Sequence, residues 1–416
     1  STFGSGNVYF NNSFTLSGGT FNAPQGVAYF YNNFIQSAGI FNHNSGTVEF
    51  NASSFTLDVP SSINFYNFRL NKSSDSYYLY LKAGDIINVE GVTTIVRGIL
   101  AGYDSTAPTV NLKGDLIMSG GYITIYSSYP LLKFSGTNNQ YVNLNTVTGN
   151  IDSPITIEKS SGSVILSSNL IMDNTKNLTL TAGTLDLADK SLTVNGTGAT
   201  FTVADEAKLR LMGSGTYTFN SGYPQFTNNS TLEYYQTNTG TYNMLSVSNV
   251  GNLIINGIEG SIFRASTSSL VVNGYLNINE HGTLFANSKD IILASSTRFF
   301  NEGNLQLVGD ENLNLENDLD SGTVTYVGNG DSATTTFESL FTNYFNLKVN
   351  FIDSGDILNI PLVSSSTLDE GLIAHWEMDE GTGTTISDSS GNGNAGTISG
   401  ASWSTGQDGT AALSFD

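Results

Sequence analysis

Apolar and polar residues alternate along the first fifty positions with a beat of twenty. Gly6, Gly26 and Gly46 each open a short run, Gly-Asn-Val-Tyr-Phe, Gly-Val-Ala-Tyr-Phe and Gly-Thr-Val-Glu-Phe, and Phe10, Phe30 and Phe50 close them. A period of two places Val8, Ala28 and Val48 on one side of each run with these phenylalanines. Asn7, Val27 and Thr47 share the other side with Tyr9, Tyr29 and Glu49. A fixed period built from glycine turns and alternating strands predicts stacked β-rungs, with Phe10, Phe30 and Phe50 forming a buried ladder. The third rung slips by one, so Phe14 and Phe34 are expected to be answered by Phe55 across a bulge.

The pattern persists without strict period to about residue 363. Strands of four to six residues are separated by Asn, Gly, Asp and Ser corners, and no helical period appears. Phe65-Tyr66-Asn67-Phe68-Arg69-Leu70-Asn71 is matched position by position by Tyr344-Phe345-Asn346-Leu347-Lys348-Val349-Asn350. Alternation within the first copy buries Phe68 and Leu70 and exposes Arg69. The expected fold is all-β: a right-handed parallel β-helix (solenoid) over 1–363, the hand following from parallel crossovers. Roughly 18 rungs of ~20 residues, ~4.8 Å apart, would make a rod on the order of 85 Å. An array of β-sandwich repeats is the alternative, kept open by hairpin-type pairs at Asn195-Gly196, Asn256-Gly257, Asn273-Gly274 and Asn329-Gly330. Residues 364–370 read as a linker.

Composition narrows the function classes. The formal net charge of −21, from 15 basic and 36 acidic residues, repels nucleic acid and anionic membrane surfaces. Charged residues are only 12% of the chain, so its surfaces hydrogen-bond through neutral side chains. The absence of cysteine excludes disulfides and thiolate zinc sites. It fits a large secreted microbial protein with core enough to need no staples. No apolar stretch is long enough to span a membrane.

Residues 371–416 change character. Gly371 to Gly381 (GLIAHWEMDEG), Asp388-Ser389-Ser390-Gly391-Asn392-Gly393-Asn394, Gly396, Trp403 and Leu413-Ser414-Phe415-Asp416 resemble the opening of the concanavalin A-like (laminin-G-like) jelly-roll domains of large bacterial or archaeal surface proteins. The resemblance covers about a tenth of the chain and implies the N-terminal part of such a domain, with most strands missing. It implies an extracellular, cell-surface setting, and ligands of that family are calcium and carbohydrate. The segment is expected to dock on its own solenoid or to be completed by a neighbouring copy. The chain opens inside a repeat, as a piece of a longer precursor would, and its uncapped first rung invites head-to-tail stacking into a filament or sheath.

Candidate chemistry is sparse. Asp388, Ser390, Asn392 and Asn394 carry side-chain oxygens at alternate positions of a glycine-rich loop, which suits Ca²⁺ as well as a plain turn; no cofactor is otherwise required. Trp376 and Trp403 would stack on glycans if exposed, or fill a sheet core. Glu316, Asp318 and Asp320, in a run with Asp310 and Glu311, would share a face of a strand, holding a cation, lining a groove for a basic ligand or forming a solvated edge. His43, His281 and His375 lie far apart. A β-helix polysaccharide lyase or glycoside hydrolase needs paired carboxylates or a basic residue beside acids. The best set, Asp85 and Glu90 near Arg97, is poor, and no rung offers two carboxylates with a basic neighbour. The reading is a non-catalytic structural or adhesive scaffold, partnered by copies of itself, neighbouring domains or surface glycans. A β-helix enzyme and a glycan-binding module are the alternatives.

Overall fold

A strand of four residues with two apolar side chains cannot build a core alone. Stacked in parallel on copies of itself, it buries the same side chain turn after turn while corners carry the polar residues. The computed structural model describes residues 4–144, 151–172, 176–220, 222–267, 269–294, 298–360, 372–406 and 411–415. It divides into two compact units, Ser1–Leu358 and Asn359–Asp416. The 364–370 linker of the sequence reading lies outside the described residues.

The first unit is a parallel β-solenoid of about 15 turns, all-β and without helix. One column of strands runs from Val8–Phe10 through Val27–Phe30, Thr47–Phe50, Asn67–Asn71 and Thr93–Arg97 to Arg298–Asn301. In chain order each turn adds a strand to a second column, such as Tyr78–Leu81 and Ile99–Gly102, and to a third, such as Ile86–Val89 and Thr109–Leu112. The inner side chains of the first column form a continuous file in which Leu185, Leu209, Leu232, Leu253 and Leu276 are paired in register and fully buried. With ~4.8 Å between strands, 15 turns make this unit about 70 Å long. That is shorter than the sequence suggested, because the register step lengthens from 20 residues (Val8 to Ala28) to 25 (Phe68 to Thr93) and 26 (Leu116 to Val142) as the corners grow.

The phenylalanine ladder forms. Phe30 and Phe50 are fully buried and Phe10, on the first rung, is half-buried. Phe30 stacks on Phe10 at 4.8 Å and on Phe50 at 5.6 Å between ring centroids. The expected partner of Phe34 is corrected. Leu57 answers Phe34 in register, while Phe55 lies beside Leu79 one rung on. The second Phe-Tyr-Asn unit behaves unlike the first: Phe68 and Leu70 are buried, but Phe345 and Val349 are exposed. Leu347–Val349 is the last strand of its sheet, paired on one side only. The sandwich alternative fails where it can be checked. Asn195-Gly196, Asn256-Gly257 and Asn273-Gly274 sit at corners between strands of different sheets rather than in antiparallel hairpins.

Corners are tied by side chains that reach the rung below. Asn88 donates to Asn64 and Asn111 to Asn88, an amide ladder along the third column. Lys72 Nζ donates to the carbonyls of Asn51 (3.2 Å) and Ser53 (3.0 Å) and lies 3.1 Å from the Phe55 ring centroid. Burial lowers its ammonium to about 6. Lys159 repeats the device on Asn138 O and Gln140 Oε1. Gly39 takes a positive φ of 81° at such a corner, where an added Cβ would sit 2.7 Å from the Gly19 carbonyl oxygen.

In the second unit, among the described residues, strands pair antiparallel: Thr385–Ile386 with Gly396–Thr397, and Ala401–Thr405 with Ala411–Phe415.

Candidate functional site

The glycine-rich loop of the second unit is an interlocked turn. Asp388 Oδ1 accepts the amides of His375 and Ser390, each at 2.9 Å, and Oδ2 accepts that of Asn394 at 2.8 Å. The Ser390 hydroxyl and these amides hold the Asp388 carboxyl far below the usual carboxylate range. Ser390 Oγ accepts the Asn392 amide, while Asn392 and Asn394 donate from their side chains to the carbonyls of Leu372 and Ile373. Asp388 is the one carboxylate of the four, and a cation here would compete with its N–H donors. Among the described residues no group of three or more His, Asp or Glu could hold a metal ion. Trp376 is 45% exposed and donates its indole N–H to Asn394 O, which fixes the ring against the same loop. Trp403 is half-buried, opposite Leu413, and donates to Gly383 O.

The carboxylates chosen from sequence in the first unit are not brought together. Asp85 is buried, accepts the Lys82 amide, and is raised to about 7 by burial. Glu90 pairs with Lys113 at 2.7 Å and Arg97 with Asp75 at 3.7 Å. His43 accepts the Ser45 amide, His281 lies beside Glu280 at a corner with φ of 67°, and His375 belongs to the Asp388 turn. Glu316, Asp318 and Asp320 lie past the short strand Leu313–Asn314 and not on a strand themselves. They line one side of a groove of about 900 Å³ whose other side carries Arg298, Phe299 and Phe300. Asp318 accepts the amides of Asn301 and Asp320.

Two constellations escaped the sequence reading. The first is a charge ladder over three consecutive rungs, Asp186, Arg210 and Glu233, in strict register. Arg210 bonds Asp186 at 2.9 Å and Glu233 at 3.1 Å, Lys208 bonds Glu233 at 2.6 Å, and Tyr235 donates its hydroxyl to Asp186. Burial pushes the Glu233 carboxyl up, but Lys208 and Arg210 outweigh it and leave the carboxyl below its ordinary value. This corrects the expectation that no carboxylate pair has a basic neighbour. The steps of 24 and 23 residues between these positions hid it from a search at period 20. Both acids are engaged by cations, so the ladder is a closed network and offers no idle base.

The second is a tyrosine cluster on the second column. Tyr78 and Tyr80 stack at 5.1 Å, Tyr80 meets Tyr126 edge-on at 4.7 Å, and Tyr103 lies parallel to Tyr126 at 5.8 Å. Lys82 Nζ is 4.5 Å from the Tyr103 ring centroid and 3.4 Å from Asp104. The run Tyr77-Tyr78-Leu79-Tyr80 was a visible signal, since its alternation buries Leu79 and turns Tyr78 and Tyr80 outward. Comparisons with protein-family models, curated proteins and solved structures found no match.

Proposed function

We propose that the chain is a non-catalytic scaffold of a microbial cell surface, its solenoid acting as a stiff spacer in a stalk, filament or sheath. The observation that carries this reading is the unbroken inner file of side chains through about 15 turns. A stack so continuous has one mechanical property throughout, and its outer polar groups are spent on holding rung to rung. The likeness of the C-terminal segment to the start of surface jelly-roll domains, the lack of cysteine and the low content of charge support an extracellular setting. Neighbouring domains of a long chain, or further copies, are the partners this reading calls for.

Antibodies against the chain, applied to intact cells of its source, test the reading. Labelling without permeabilisation is expected. Labelling that needs permeabilisation removes the surface role. Turnover of a polysaccharide by the purified chain, abolished by a single Asp or Glu substitution, would turn the scaffold into an enzyme.

A further inference from the structure

The tyrosine cluster is built, not incidental. Ala101 faces Tyr80 in register, and this small residue leaves room for rings to lie across the sheet. The segment after Tyr126 folds back on the same strand: the amides of Ser127 and Ser128 donate to Gly102 O, and the Gly102 amide donates to Ser128 O. Gly102 is required there, because an added Cβ would meet the Ser128 hydroxyl 2.2 Å away. The result holds Tyr126 against Tyr80 and parallel to Tyr103 while leaving Tyr126 52% and Tyr103 40% exposed. Aromatic rings fixed on parallel strands and open to solvent are a stacking platform that loses little side-chain entropy when occupied.

We propose that Tyr78, Tyr80, Tyr103 and Tyr126 form a binding site for a neutral polysaccharide. The chemistry of the patch selects this occupant. Sugar rings present C–H faces that pack on aromatic faces and rim hydroxyls that need both donors and acceptors. Phenol hydroxyls, the Asp104 carboxylate and the Lys82 ammonium supply both. The aliphatic side chains of these strands, Leu79, Leu81 and Leu100, are fully buried, so the outward surface is aromatic and polar rather than aliphatic. Lys82 and Asp104 pair with each other, so the patch carries no charge for an ionic ligand to answer. The net charge of −21 disfavours nucleic acid and acidic glycans. The site is distinct from Trp376 and Trp403, and the proposal does not depend on where the protein resides.

The test is affinity electrophoresis of the whole chain in gels cast with laminarin, xylan, glucomannan, dextran or starch. Retardation by at least one is expected. Tyr103→Ala/Tyr126→Ala should weaken it roughly tenfold or more, while Tyr103→Phe/Tyr126→Phe keeps the rings and most of the binding. Nitration followed by mass spectrometry provides a readout on the unsubstituted chain: the bound polysaccharide should protect Tyr103 and Tyr126. No retardation in any gel overturns the proposal. Retardation that survives the alanine pair, or that is lost instead in Trp376→Ala/Trp403→Ala, overturns it too. Sedimentation showing that the alanine pair dissolves a dimer, with no polysaccharide effect, would reassign the patch to a second copy of the chain.

Discussion

Replacing Phe30 by alanine removes a ring that touches four others. It is fully buried, stacked between Phe10 and Phe50, and meets Phe14 and Phe34 edge-on at 5.5 and 5.0 Å. Phenylalanine-to-alanine changes in packed cores cost about 3–5 kcal/mol through lost burial and a cavity. Four ring contacts and a rigid sheet that collapses poorly place Phe30→Ala in the upper half of that range. Each 1.4 kcal/mol is tenfold in an opening equilibrium, so amides of the neighbouring rungs should exchange on the order of a thousandfold faster. In a stack where each turn contacts only its neighbours the damage stays local. Hydrogen exchange read by mass spectrometry should therefore show Val27–Phe30 and Thr47–Phe50 loosened, and Thr231–Tyr235 unchanged. Tyr29→Ala is the control. Its ring points outward and stacks only on Tyr9 and Tyr31, so its loss should cost about 1 kcal/mol or less. Loss of protection spread evenly over the solenoid, or a Phe30→Ala cost no larger than that of Tyr29→Ala, would refute the nearest-neighbour reasoning.

Three further outcomes are expected. Lys72 binds its proton only below about 6 when folded but near its ordinary value when unfolded, so its contribution to stability grows as pH rises from 6 towards 10; Lys72→Met should flatten the rise in denaturation midpoint over that window, and an unchanged slope would mean the ammonium stays charged in its corner. Glu233 is held below its ordinary value, so its contribution is present at neutral pH and fades as pH falls through the folded value; Glu233→Gln should lower stability at pH 7 and lessen its loss on acid titration followed by circular dichroism. Gly46→Ala should destabilise by about 1–3 kcal/mol, because its Cβ would lie 2.0 Å from the Pro24 carbonyl oxygen, whereas Gly18→Ala, with open space around it, should melt close to the unsubstituted chain.

What could be read from the sequence was whatever repeats at short range. The Phe10, Phe30 and Phe50 file, the parallel strands and the amide ladders follow from residue spacing, because a pleat of two and a turn of constant length translate directly into faces. Where corners vary in length the translation fails. Asp186, Arg210 and Glu233 are neighbours in space at unequal spacing, and nothing local to any of them signals the other two. Phe55 misled for the same reason: an added corner residue moved Leu57, not Phe55, onto Phe34. The tyrosine cluster needed one fact no pattern carries, the return of the Tyr126–Ser128 segment onto the strand it follows.

The parallel columns have a consequence for tension. Hydrogen bonds between successive rungs point along the axis of the stack, so a pull along that axis loads one layer of bonds at a time instead of shearing many together. Each layer that yields frees a stretch of 20 to 26 residues, as the register steps from Val48 to Phe68 and from Leu116 to Val142 measure it. At ~3.3–3.6 Å per residue that is about 70–90 Å of slack released for a layer ~4.8 Å thick. A solenoid of this kind resists compression as a solid rod yet pays out under sustained traction in steps, each dissipating work, and it can rewind on release because every freed turn still has its neighbour as a template.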